Sequence, residues 1–166
     1  MLMRSLSRIR PRGVATVYSL AGAIAAVCLL SFGVQAKTVH LETAAGVSAR
    51  ADYQPGQSDK PAVLILHGML QTHGVRTVRT LADSLSANGH PVLTPTLSLG
   101  VAQRQQSLDC DAIHGHTLDN DIGEIRGWVD WLAQHTAGPI VLVGHSTGGL
   151  KLLAYLQEDP HPRVSR

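Results

Sequence analysis

Aromatic residues are almost missing from this 166-residue chain: they form 4% of it, with a single phenylalanine. Any core must therefore be built from Leu, Val, Ile and Ala. Cysteine is as scarce, at Cys28 and Cys110 only, which excludes a disulfide-rich scaffold. Charged residues are few, at 16%, against 44% apolar ones. That composition excludes a disordered chain and fits one modest globular domain. There is no internal repeat and no low-complexity linker.

The formal charge of +2 conceals an uneven distribution. Arg4, Arg8, Arg10 and Arg12 open the chain, and without them ten basic residues face twelve acidic ones. No basic run remains of the kind that binds nucleic acid. Val14 to Val34, "VATVYSLAGAIAAVCLLSFGV", carries no charge, and "VQA" then places small residues at Val34 and Ala36. A basic start, an apolar run and a small-x-small site read as an export signal cleaved after Ala36. The run also has the roughly 20 residues that span a bilayer, so an uncleaved anchor making membrane contact through residues 14–34 stands as the alternative. The denser apolar stretch Ala21–Leu30 and the small-x-small site favour cleavage. The expectation is thus residues 1–36 as signal peptide or membrane anchor, a periplasmic, secreted or membrane-tethered location, and a folded part over 37–166. A lipoprotein reading through Cys28 is weak, because Val27 is bulky where a small residue is needed. With Cys28 removed, Cys110 has no internal partner.

Thr38–Thr43 and Val47–Tyr53 alternate apolar and polar residues about Gly46 and predict an antiparallel hairpin. "AVLIL" (Ala62–Leu66), "HPVLTPTL" (ending near Pro95) and "PIVLV" (Pro139–Val143) are short continuous apolar runs, the mark of strands covered on both faces. Helical spacing runs over Val75–Ala87, stopped by Asn88-Gly89, then over Leu118–His135 and Thr147–Glu158. Val101 to Thr117 is polar and irregular and reads as a loop. A hairpin followed by alternating strands and helices predicts an α/β fold: a mostly parallel sheet with helices on both faces. Chemistry in such sheets gathers at the carboxyl ends of the strands. Two glycine-bearing turns fall there, "HGM" after Leu66 and "GHSTGG" after Val143.

The second turn, "GHSTGGLK", admits three readings. A phosphate loop fails, because Leu150 stands where lysine is required and Leu152 follows Lys151. A dinucleotide fingerprint fails, because Ser146 occupies a glycine position. The third reading is the G-x-S-x-G nucleophile elbow, Gly144 to Gly148, in which the serine sits on a sharp strand-to-helix turn. Small residues are needed two before and two after the serine, and the Thr147 amide can donate to a developing oxyanion. A serine that merely caps the helix is the structural alternative. "LILHGM" adds a second glycine corner at a strand end, where Gly68 would let the chain turn and the Met69 amide would be a second donor. His67 reads as a structural, hydrogen-bonded histidine.

"LILHGM" and "VLVGHSTGG" at this separation resemble the α/β-hydrolase family over residues 37–166. The resemblance implies a serine hydrolase of carboxylic esters or related acyl compounds, an esterase or lipase with a small-molecule substrate. Ser146 would be the nucleophile and the Met69 and Thr147 amides the oxyanion donors, with Gly68, Gly144 and Gly148 making room. It implies no cofactor and no metal. Serine at the elbow disfavours relatives with an aspartate there.

In this family the chain order is Ser, then Asp or Glu, then His. After Ser146 come only Glu158, Asp159 and His161, at the far end of the predicted helix, roughly 17–20 Å away at 1.5 Å per residue. His145 neighbours the serine but points elsewhere in so tight a turn, and His73 reads as a loop or lining residue. Cys110, Asp109, Asp111, His114 and His116 suggest a metal site, but Cys-x3-His-x-His matches no zinc spacing, and a solvated loop is the simpler reading. The acids of "LDNDIGE" complement a helix dipole. The resemblance therefore reads as the N-terminal part of an incomplete hydrolase fold, inactive or nearly so by itself. "HPRVSR" reads as the lead-in to a next strand, and "PIVLV" as an apolar sheet edge that promotes self-association. The rival reading is a non-enzymatic exported or tethered binding domain of the same fold. A third is a membrane protein whose main functional element is residues 14–34.

Overall fold

A computed structural model describes residues 35–112 and 114–165. The N-terminal arginines, the apolar segment 14–34 and Cys28 lie outside the described residues. Among the described residues no helix is long and apolar enough to cross a membrane.

Five strands and three helices follow in the order β1 (Lys37–Glu42), β2 (Ser48–Gln54), β3 (Ala62–Leu66), α1 (Arg76–Ala87), β4 (Val92–Thr96), α2 (Leu118–His135), β5 (Ile140–Gly144) and α3 (Thr147–Gln157). They make one sheet ordered β1-β2-β4-β3-β5. The predicted hairpin is present and joins the sheet through an antiparallel β2–β4 pairing, while β4, β3 and β5 run parallel. Pro95, which has no N–H to give, sits opposite Ala51 one residue before β4 ends.

The two-residue period of β3 divides the core. Ala62, Leu64 and Leu66 pack with Ile125, Trp128, Val129 and Leu132 of α2 and with Leu152 and Tyr155 of α3. Val63 and Ile65 face the other way, onto Val78 and Ala82 of α1. Helices thus cover both faces, as a run apolar at every position requires. The few aromatic residues are not peripheral: Trp128 and Tyr155 are the two largest fully buried side chains. Each aromatic of this kind buries on the order of 150–250 Å², so two of them weigh heavily in a small core.

Thr117 begins α2 with a reciprocal capping box, its hydroxyl accepting from the Asn120 amide and the Asn120 side chain accepting from the Thr117 amide. β5 is the outermost strand, the edge position expected of "PIVLV", but it is not covered on both faces along its length: Ile140 is buried while Val141 is 37% exposed. The expected lead-in strand does form its first contact, a parallel bridge from Val164 to Ile140. Beyond that bridge the outer edge of β5 pairs with no strand among the described residues.

Candidate active site

β5 ends at Gly144 and α3 begins at Thr147, so His145 and Ser146 alone make the turn. Ser146 takes φ 54° and ψ −127°. That region costs a residue with a Cβ on the order of 1–3 kcal/mol and must be enforced by its surroundings. The glycines allow the enforcement. A Cβ on Gly144 would come within 2.7 Å of the Gly148 backbone. One on Gly148 would collide with the His67 carbonyl oxygen and lie 2.7 Å from that of Leu66. The His145 amide donates to the Leu66 carbonyl at 2.8 Å, fixing the turn to the end of β3. Ser146 itself stays exposed, and although it stands at the N-cap position of α3 its side chain makes no capping bond.

The corner after β3 lies against this turn: a Cβ on Gly68 would stand 3.2 Å from the Ser146 Cβ. His67 organises the corner. Its Nδ1 is 2.7 Å from the Gly68 carbonyl, which can only accept, so Nδ1 carries the proton. Its Nε2 accepts from the Leu97 amide at 3.0 Å. Burial pushes the imidazole pKa down to about 3, so it is neutral at working pH. Both nitrogens are spent on backbone, which makes His67 a brace for the corner. The Gly68 amide donates to the Gln71 side chain, and Leu70 completes the turn at φ 55°. Among the described residues neither the Met69 nor the Thr147 amide donates to an acceptor.

The segment between β4 and α2 was expected to be a solvated loop. It has no regular structure but is tied down by two buried charges. Arg104, 4% exposed, donates to the carbonyls of Leu97, Leu70, Gln106 and Gln71 at 2.6–3.2 Å. Burial lowers its pKa to about 10, which leaves it charged. Glu124 of α2 accepts from the Ser98 amide and hydroxyl, and burial raises its pKa. Asp121, placed by sequence among acids that serve the helix dipole, is buried. It takes His116 Nδ1 at 2.9 Å and Lys151 Nζ of α3 at 2.7 Å. Apart from His116, five positions from Asp121, the partners are backbone groups or side chains 26 to 30 positions away, so these roles had little local sequence signal.

The other candidates are dispersed. His73 donates from Nε2 to Asp52 at 3.1 Å and accepts at Nδ1 from the Thr96 hydroxyl at 2.6 Å, bracing β2 and β4. Glu158 pairs with Arg126 at 2.7 Å. His161 accepts from the Arg163 amide beyond the far end of α3, about 17 Å of helix from the serine. No side chain among the described residues hydrogen-bonds the Ser146 hydroxyl, and none of them form a cluster able to hold a metal ion. Met69 and Thr147 share the lining of one cavity with His114, His116 and Cys110.

The family profile for the alpha/beta hydrolase fold matches residues 61–165, more than half of the chain. A phospholipase of Bacillus subtilis is 26% identical over 112 residues, 66% of this chain and 40% of the phospholipase. An esterase of Pyrococcus furiosus superimposes with a TM-score of 0.60 at 22% identity, covering 75% of this chain and 47% of its own. An alpha/beta hydrolase from Penicillium gives 0.63 at 19% identity, covering 78% and 43%. The chain therefore spans less than half the length of these relatives.

Proposed function

The chain belongs to the α/β-hydrolase fold family, and on that premise we propose that it carries the nucleophile half of a serine hydrolase for carboxylic esters or related acyl compounds. Ser146 attacks the carbonyl carbon, and the Met69 and Thr147 amides receive the oxyanion. The observation that supports this reading is the backbone of Ser146: a non-glycine residue at φ 54°, between the edge strand β5 and α3, facing the Gly68 corner. Strained residues held this way gather at functional sites. Two oriented amide donors beside a nucleophile would each supply a few kcal/mol of transition-state stabilisation.

A serine hydroxyl without a base is a weak nucleophile at neutral pH. His67 and His73 have both ring nitrogens engaged, and His161 lies beyond α3. The chain by itself should therefore turn over substrate slowly or not at all, with residual catalysis from the amide pair alone. The absence of a base at Ser146 is also what a ligand-binding domain of the same fold would show. A fluorophosphonate probe separates the two. Slow labelling confined to Ser146, and abolished by Ser146→Ala, supports the hydrolase reading. No labelling at Ser146 over days, with other serines equally inert, favours the binding domain. Labelling as fast as in a complete hydrolase would overturn the expectation of low activity. Export through residues 1–36, or anchoring by them, is part of the same proposal and is read from the N-terminal residue of the mature protein: Lys37 if the signal is cleaved.

A further inference from the structure

A second cavity lies at the amino ends of β3, β4 and β5, a strand length of roughly 15 Å from the Ser146 turn. Its volume is about 340 Å³, within the range of small-molecule sites, and it opens between the β2–β3 loop and the end of α2. Three observations give it a chemistry. First, aromatic rings collect there. Trp128 and Tyr155 fill the core. The other Phe, Tyr and Trp residues among those described, Tyr53 and Trp131, meet edge to face with centroids 5.1 Å apart. His135 stacks on Trp131 at 3.8 Å and 14°, and Tyr53 and His135 form part of the cavity wall. Second, Lys60 stands in that wall with no carboxylate beside it, and it enters no ion pair among the described residues. Third, the wall has hydrogen-bonding groups open to a ligand. Gln57, Ser58 and Gln134 line it and are exposed. His135 Nδ1 is 2.7 Å from the Trp131 carbonyl, which can only accept, so in the neutral ring Nε2 is left to accept.

We propose that this cavity is a carbohydrate-binding site, separate from the serine, that takes one pyranose ring bearing a carboxylate. A pyranose offers C–H faces, which lie against aromatic rings, and a rim of hydroxyls that donate and accept. The Tyr53 and His135 rings suit the faces. The Gln57 and Gln134 amides and His135 Nε2 suit the hydroxyls. Lys60 suits the carboxylate, through a charge-assisted hydrogen bond. A neutral sugar would leave Lys60 unmatched, and an aromatic acid would leave the two amides unmatched. The site goes beyond the hydrolase reading and needs no chemistry at Ser146.

The test titrates glucuronate, glucose and benzoate into the full 166-residue chain by calorimetry. Glucuronate should bind about fivefold more tightly than glucose, the upper worth of one exposed ion pair. That advantage should shrink in about 0.5 M salt. Lys60→Met keeps the aliphatic stem, so it should bring glucuronate down to the affinity of glucose and leave glucose unchanged. His135→Ala should weaken both sugars alike, at least threefold. Both side chains lie outside the core clusters, so neither variant threatens folding. No heat from either sugar overturns the proposal. So does benzoate binding more tightly than glucuronate, which would make the site one for aromatic acids. Glucuronate binding that survives both substitutions unchanged overturns it too, since the sugar then sits elsewhere.

Discussion

Two adjacent glycines of α3 should respond to alanine with opposite signs. An alanine Cβ at Gly149 would meet nothing nearer than the Gly144 carbonyl oxygen at 3.6 Å, an ordinary contact. Alanine there gains the helix propensity that glycine forfeits, up to about 1 kcal/mol. At Gly148 the same methyl would run into the carbonyl oxygens of His67 and Leu66, the latter at 2.7 Å. Both belong to the buried end of β3 and its corner, so neither can yield without moving the Gly68 turn away from Ser146. Overpacking of this kind costs about 1–3 kcal/mol, occasionally more, and here the obstacle is backbone, which places it at the upper end. After the propensity gain, Gly148→Ala should lose about 2 kcal/mol or more. At about 3 °C per kcal/mol for a chain of this size, the two variants should melt about 6–10 °C apart, with the parent between them. Trp128, fully buried, reports unfolding by fluorescence in a urea titration, and circular dichroism gives the melting temperature. Equal stability of the two variants, or a Gly148→Ala that melts above the parent, would refute the close packing of turn on corner. The same variant should also slow fluorophosphonate labelling of Ser146 by tenfold or more, since the donor pair depends on that packing.

Arg104→Met should destabilise by about 3 kcal/mol or more, because it leaves several buried carbonyls without their charged donor, and Arg104→Lys should not restore the loss, since one ammonium cannot span four carbonyls; urea midpoints decide it. Asp52 has its carboxyl held below the usual range by the hydrogen bond from His73. A carboxylate with a depressed folded pKa contributes stability above its unfolded value near 4, and the contribution disappears as pH falls through the folded pKa. Asp52→Asn should therefore cost up to about 1 kcal/mol at pH 7 and flatten the acid side of the stability curve below pH 4; an unchanged acid limb would count against the pairing. Val141 stands exposed on the outermost strand, so Val141→Lys should reduce concentration-dependent association in light scattering. A parent chain that is monodisperse at high concentration would contradict that expectation.

Local chemistry determined much of this protein. The continuous apolar run of β3 dictated a strand covered on both faces, since its odd and even residues enter separate clusters. The glycines flanking Ser146 announced a sharp turn, because the clash that excludes larger residues involves chain neighbours and the strand beside them. Asn88-Gly89 ended α1 for a comparably local reason, with Gly89 at φ 85°. Other features waited on the fold. The sequence could not show that the polar stretch after β4 is fastened by Arg104 and Glu124, or that Asp121 is buried against Lys151. A buried arginine and a solvated one look alike until the carbonyls that solvate it are in place, and those come from three separate segments. The cavity at the other end of the strands is of the same kind: Tyr53 of β2 and His135 of α2 become one wall only when α2 packs against the sheet.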